Sequence, residues 1–166
     1  MDALRRLWRG AKPAGQSVFA GLRGQVIDLD PETVGIRPTA ELPNVWGVLM
    51  EMGRGDAVAT VVALADGTTS LYTSTGGGMI GGGGHTAVLA ATRLLLLAVE
   101  ADLNRFHPVE VLELPVEGET RFNVLTYTGR FSVSTRDTEM TSSHPLLAVY
   151  TAGQNVITEL RQIAPA

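Results

Sequence analysis

The chain has 166 residues, of which 45% are hydrophobic and 18% are charged. This composition indicates one globular domain and excludes the polar, highly charged signature of a disordered protein. The formal net charge of −4 argues against a nucleic-acid-binding role, because phosphate recognition requires a basic surface. The absence of cysteine excludes disulfides, thiol nucleophiles and cysteine-based zinc sites, so we expect a cytoplasmic protein.

The N-terminal part of the chain is the least regularly patterned. Glycine and proline interrupt any hydrophobic period, so residues 1–40 are predicted to form an irregular extension with a short strand at residues 25–29. The start of this extension is basic, through Arg5, Arg6, Arg9 and Lys12. Two interpretations of residues 1–8 stand: a frayed helical turn, or weak contact with an anionic membrane surface or acidic partner. No apolar run is long enough for a signal peptide or a transmembrane segment.

Residues 43–53 show apolar side chains at three- and four-residue spacing. Pro43 and Asn44 can open a helix and Gly53 can close it, so a helix is predicted here. A strand over residues 46–52 is the alternative. The next segment is clearer: residues 57–65 and 68–75 are predicted strands, and Asp66-Gly67 between them is a strong signal for an antiparallel hairpin.

The most distinctive segment is the glycine tract, residues 76–84, which has seven glycines in nine residues. Glycine at this density indicates positive φ, close approach to another surface, or mobility. The candidate ligand or partner loop consists of the tract and the two residues that follow it: Gly76, Gly77, Gly78, Met79, Ile80, Gly81, Gly82, Gly83, Gly84, His85 and Thr86.

The spacing Gly76-x-Gly78-x-x-Gly81 formally matches a dinucleotide-binding fingerprint. That motif requires a parallel βαβ unit, whereas Asp66-Gly67 makes the preceding strands antiparallel. A phosphate-binding P-loop would need lysine where His85 stands. A close-turning or partner-facing connector is therefore favoured, and binding of an anion at the helix N-terminus near His85 is the alternative.

Residues 85–106 contain neither proline nor glycine and are predicted to form a long apolar helix that His107-Pro108 ends. Four consecutive leucines, residues 94–97, cover every side of a helical turn. One sheet face cannot bury them all, so a second copy of the chain is expected to pack on this helix. The candidate dimer residues are Leu89, Leu94, Leu96 and Leu97.

The C-terminal part is predicted to contain three strands and a helix. The strands are expected at residues 109–116, 120–128 and 130–138, separated by turn-forming glycines. Residues 141–143, Thr-Ser-Ser, offer caps for a final helix over residues 144–163. Residues 41–163 are thus expected to form one α+β domain with the order α-β-β-α-β-β-β-α.

No catalytic, metal-binding or cofactor-binding set emerges from the side chains. His85, His107 and His144 lack metal-ligand spacing, and Ser74 lies in no nucleophile elbow. The acidic residues around Pro31 lack the remaining ligands of a calcium loop and are read as a solvated turn.

The element order, the length of the domain, the hairpin at residues 65–68 and the apolar helix from His85 resemble the roadblock (dynein light chain) domain of the profilin-like superfold. This resemblance covers about three quarters of the chain and rests on pattern and topology rather than on a specific motif. It implies a five-stranded antiparallel sheet with helices on its faces, dimerisation, and a non-catalytic role in regulating small GTPases or in scaffolding. A sensor that binds a small ligand or a nucleotide through the glycine tract and His85 is the alternative function.

Overall fold

The computed structural model describes residues 18–164, which form a seven-stranded antiparallel sheet with helices on both faces. The basic residues Arg5, Arg6 and Arg9 lie outside the described residues. The helices are α1 (Val18–Ile27), α2 (Thr86–Ala101) and α3 (Leu147–Gln162). The strands are β1 (Val45–Arg54), β2 (Ala57–Leu64), β3 (Thr69–Thr73), β4 (Gly78–Ile80), β5 (His107–Val109), β6 (Glu119–Thr126) and β7 (Gly129–Arg136).

The strands lie in the spatial order β4-β3-β2-β1-β6-β7-β5. The α+β class and the β2–β3 hairpin predicted from the sequence are confirmed. The prediction of five strands is wrong. Two three-residue strands, β4 and β5, lie at the two edges and residues 45–54 form β1, whereas the strand predicted at residues 109–116 is absent. The chain order within residues 18–164 is therefore α-β-β-β-β-α-β-β-β-α rather than α-β-β-α-β-β-β-α.

The predicted helix over residues 43–53 is instead β1, which lies in the middle of the sheet between β2 and β6. A central strand covered on both faces buries the side chains that point to either face, so most of its residues are apolar and show no alternation. Such a run also contains three- and four-residue spacings, which is why it resembles a helix. Leu49 faces one side of β1, whereas Val48 and Met50 face the other.

The sheet separates two hydrophobic cores. One face packs against α2 and α3, and it contains most of the buried apolar side chains. Gly153 lets α3 approach the sheet closely, because a β-carbon there would lie 2.2 Å from the sulfur of Met50. The other face packs against α1 and the segments that flank it.

Residues 18–40 belong to the domain rather than to an irregular extension. Phe19 and Val26 of α1 are buried, as are Leu29 and Ile36 in the turn and coil that follow. The strand predicted at residues 25–29 is the last turn of α1 and its exit, so this prediction is wrong. The apolar side chains of this region cover the second sheet face and complete its core.

Residues 109–116 do not form the predicted strand, because only His107–Val109 pairs with β7. Beyond β5 the chain leaves the ladder and crosses the sheet face that α1 also covers. Residues 110–117 are called the strap below. The strands predicted on either side of the following turn are confirmed as β6 and β7. The final helix begins at Leu147, and no side chain caps it, so the predicted caps at residues 141–143 are absent.

Candidate functional site

The glycine tract divides into three parts. Gly76 and Gly77 make the turn after β3, Gly78–Ile80 returns as the edge strand β4, and Gly81 starts the connection to α2. Because β3 has five residues, its two ends lie about 13 Å apart. The two groups of glycines therefore lie at opposite ends of β3 and do not surround one common anion.

Steric constraints explain several of the glycines. A β-carbon on Gly78 would lie 2.3 Å from the carbonyl oxygen of Leu71, and one on Gly83 would lie 2.4 Å from that of Gly67. Gly82 packs against the side chain of Leu160 in α3. Gly84, by contrast, has open space around it. The connector thus passes close to β3 and α3, as the close-turning interpretation requires.

His85 and Thr86 are exposed at the start of α2. His85 occupies the N-cap position, but its side chain makes no capping hydrogen bond there. The start of α2 follows the connector at one end of β3, whereas the turn at Gly76 and Gly77 lies at the other end. The alternative function combined the glycine tract with the helix N-terminus at His85. The helix does begin there, but the glycines at Gly76 and Gly77 lie away from it.

The four candidate dimer leucines lie on different sides of α2. Leu96 is 2% exposed and packs in the core of its own chain, so it offers no surface to a second copy. Leu94 is 58% exposed and Leu89 is 39% exposed, whereas Leu97 is half-buried. Leu94 lies five positions after Leu89, which places the two about 140° apart around the helix axis. Leu94 and Leu97 lie one turn apart on the same side, where Leu94 is outward and Leu97 also packs partly against the core of its own chain.

A second apolar row follows the outward side of α2. The row, called the outer stripe below, consists of Ala87, Ala90, Leu94, Leu97 and Ala101. All of these residues are exposed except Leu97, which is half-buried. The spacing alternates between three and four residues, which is the pattern of a helix–helix seam. The helix α2 therefore carries two apolar sides, one against the sheet and one outward.

The sheet face covered by α1 holds a buried polar cluster that sequence analysis did not identify. At its centre is Glu51 of β1, whose side chain is 0% exposed. Arg23 of α1 donates to both carboxylate oxygens, from Nε to Oε1 and from Nη2 to Oε2, each at 2.8 Å. Thr60 donates to Oε1 at 2.9 Å and Asn123 donates to Oε2 at 2.7 Å. Four hydrogen bonds thus hold this carboxylate.

The polar cluster also fixes the strap. Arg23 donates to the carbonyl oxygen of Leu112 at 2.8 Å, and Asn123 donates to that of Glu113 at 3.1 Å. Ser132 of β7 donates in turn to Oδ1 of Asn123 at 2.7 Å. One connected set of hydrogen bonds therefore joins α1, the four strands β1, β2, β6 and β7, and the strap. Its signal in the sequence is a glutamate and an asparagine within apolar strands.

Tyr72 of β3 lies beside this cluster, opposite Thr60 in the sheet register. Its ring makes an edge-on contact with Phe19, with centroids 5.6 Å apart. The hydroxyl is buried and has no hydrogen-bond partner among the described residues. Burial raises the pKa of Tyr72, and the Glu51 carboxylate adds to this rise, whereas Arg23 opposes it.

Other candidate residues have local structural partners. The Oγ of Ser74 accepts from the N–H of Val58 at 2.9 Å, which fastens the end of the β2–β3 hairpin. Asp30 caps the 3-10 turn Pro31–Val34 by accepting from the N–H of Glu32. His144 lies beside Thr135, with its Nε2 at 3.2 Å from the hydroxyl, and its Nδ1 accepts from the N–H of Leu146.

A metal-binding group is not formed by the described residues: no three of their His, Asp and Glu side chains are placed to hold an ion. Within residues 18–164, no helix is both long enough and apolar enough to cross a membrane. Comparison of the chain with protein-family models, curated proteins and solved structures gives no significant match. The functional argument therefore depends on surfaces and contacts of this molecule.

Proposed function

We propose that this protein is a non-enzymatic homodimeric module that regulates or scaffolds a protein partner, and that α2 forms the dimer interface. The observation that carries this proposal is the outer stripe. Alanine at positions 87, 90 and 101 lets a second helix approach closely, and Leu94 and Leu97 supply apolar contact area. A two-fold axis would bury the stripe of one copy against that of the other.

The test measures the mass in solution by light scattering or sedimentation equilibrium. We expect the unaltered protein to be a dimer and Leu94→Glu to be a folded monomer, because a buried carboxylate at the seam would lack a partner. Thr151→Glu places the same charge on an exposed position of α3 and should leave the dimer intact. A stable monomer for the unaltered chain would remove the proposal.

The resemblance to the roadblock domain adds a class of partner, the small GTPases, to this proposed module. The test adds the protein to small GTPases of the native host that carry a fluorescent nucleotide, and it follows nucleotide release and hydrolysis. We expect the rate to change for at least one GTPase. Unchanged rates for all of them would remove this class of partner and leave the dimer proposal standing.

A further inference from the structure

The strap exposes an unusual amount of apolar surface next to acidic side chains. Val111 is 70% exposed, Leu114 is 43% exposed and Val116 is 59% exposed. These three side chains are exposed to solvent, although Leu112 of the same strap is buried in the core on this sheet face. Glu110, Glu113 and Glu117 alternate with them along the strap and are exposed as well.

The inward side of the strap repeats every third residue. Leu112 and Pro115 are buried, and the half-buried Val109 and Gly118 continue the same period. A period of three is that of an extended polyproline II helix, whose backbone makes no internal hydrogen bonds. Two rows of the strap therefore face outward, residues 110, 113 and 116 and residues 111, 114 and 117. Each row contains both glutamate and apolar side chains.

Some backbone carbonyl groups of the strap are hydrogen-bonded to the rest of the described domain, whereas its backbone N–H groups are not. The carbonyl groups of residues 112 and 113 accept hydrogen bonds from the side chains of Arg23 and Asn123. No N–H group of residues 111–116 donates a hydrogen bond to the described part of the chain. Gly53 completes the attachment, because a β-carbon there would lie 2.0 Å from the carbonyl oxygen of Val116.

The acidic side chains of the strap have little internal compensation. The carboxylate of Glu113 lies 3.9 Å from Arg121, and its side chain is 72% exposed. Glu110 and Glu117 make no ion pair with a residue of the described chain. Apolar surface between exposed carboxylates, two of them unpaired within the described chain, is complementary to a segment that alternates apolar and basic residues.

We propose that the strap is a docking surface for a partner protein, and that it binds a basic, apolar segment of that partner. The apolar side chains of the segment pack on Val111, Leu114 and Val116. Its arginine or lysine residues pair with the glutamates, and its carbonyl groups accept from the open N–H groups of the strap. The buried polar cluster holds the strap in place before binding, which reduces the entropy lost on association.

Fluorescence anisotropy of a labelled peptide that alternates leucine and arginine tests this proposal on the full chain. We expect binding that weakens with added salt, and about tenfold weaker binding by the double variant Val111→Ser/Leu114→Ser. Both positions are exposed, so the variant should keep the circular dichroism spectrum of the unaltered protein. Ala148→Ser, at an exposed position of α3 on the other sheet face, is the control and should bind normally.

Three outcomes would overturn the proposal. Equal binding of a peptide that alternates serine and arginine would show attraction by charge alone. Equal affinity of the double variant and the Ala148→Ser control would place the peptide elsewhere. Tighter peptide binding by an Arg5→Ser/Arg6→Ser/Arg9→Ser variant would show that the chain's own basic segment competes for the strap, which would replace the external partner.

Discussion

Glu51 has a fully buried carboxylate, which would be costly without partners. Four hydrogen bonds satisfy both of its oxygens. A glutamate within an apolar strand is visible in the sequence. Its partners are not, since Arg23 lies 28 positions before it and Asn123 lies 72 positions after it. The local sequence pattern indicates periodicity and turns. It does not indicate which strands become neighbours in the sheet, and the cluster depends on that order.

Replacement of Glu51 tests whether the cluster holds the molecule together. We expect Glu51→Ala to lower the free energy of unfolding by about 3 kcal/mol, because it leaves the mostly buried positive charge of Arg23 without the carboxylate that balances it. Urea denaturation measures this loss. Arg93→Ala breaks the ion pair with Glu41 at the surface and should cost less than about 1 kcal/mol. Equal losses for the two variants would contradict the role of the cluster.

The buried hydroxyl of Tyr72 gives a second prediction at this scale. Because the pKa of Tyr72 is raised in the folded state, the unfolded chain loses its phenolic proton first. The stability of the protein is therefore expected to fall as the pH rises above about 10, the usual tyrosine pKa. Below that pH both states keep the proton and the raised pKa has no effect on stability.

Tyr72→Phe should reduce this alkaline loss, as measured by unfolding at a series of pH values. At neutral pH the variant should be about 1 kcal/mol more stable, because it removes a buried hydroxyl that has no partner among the described residues. Tyr150→Phe, at a half-buried position on α3, is the control and should keep the alkaline slope. A Tyr72→Phe protein that is less stable at neutral pH would contradict this account.

At the scale of elements, turns and amphipathic helices were predictable and edge strands were not. Asp66-Gly67 correctly located the β2–β3 turn, and the sides of α2 follow the apolar period. The strand β4 lies within the glycine tract, and glycine has low strand propensity. It forms because β3 offers an unpaired edge to a chain that must return along it.

The glycine tract gives a prediction about an element. Gly83→Ala should destabilise the protein by about 2 kcal/mol, because its β-carbon would meet the carbonyl oxygen of Gly67, which belongs to a tight turn. Gly84→Ala is the neighbouring control: it has open space and an ordinary φ, so it should be neutral or slightly stabilising. Thermal unfolding measures both. A similar melting temperature for the two variants would show that the connector does not pack as described.

At the scale of the whole molecule, the hydrophobic pattern contains both helical and strand periods, and it therefore predicted the α+β class. It did not predict the order of the strands in the sheet. The sequence pattern treated residues 18–40 as separate from the domain, although Phe19, Val26, Leu29 and Ile36 complete one of its two cores. These residues lie in short apolar stretches that glycines and prolines interrupt. Their burial becomes apparent only when the sheet face that they cover is known.

The central position of β1 affects how the chain can fold during synthesis. Its partner on one side, β2, follows directly, but its partner on the other side, β6, is made only after β2, β3, β4, α2 and β5. A nascent chain that has reached α2 therefore presents the apolar β1 edge to other proteins. Slow translation between α2 and β6 would prolong this exposure, so the yield of folded protein should depend on elongation speed across that segment.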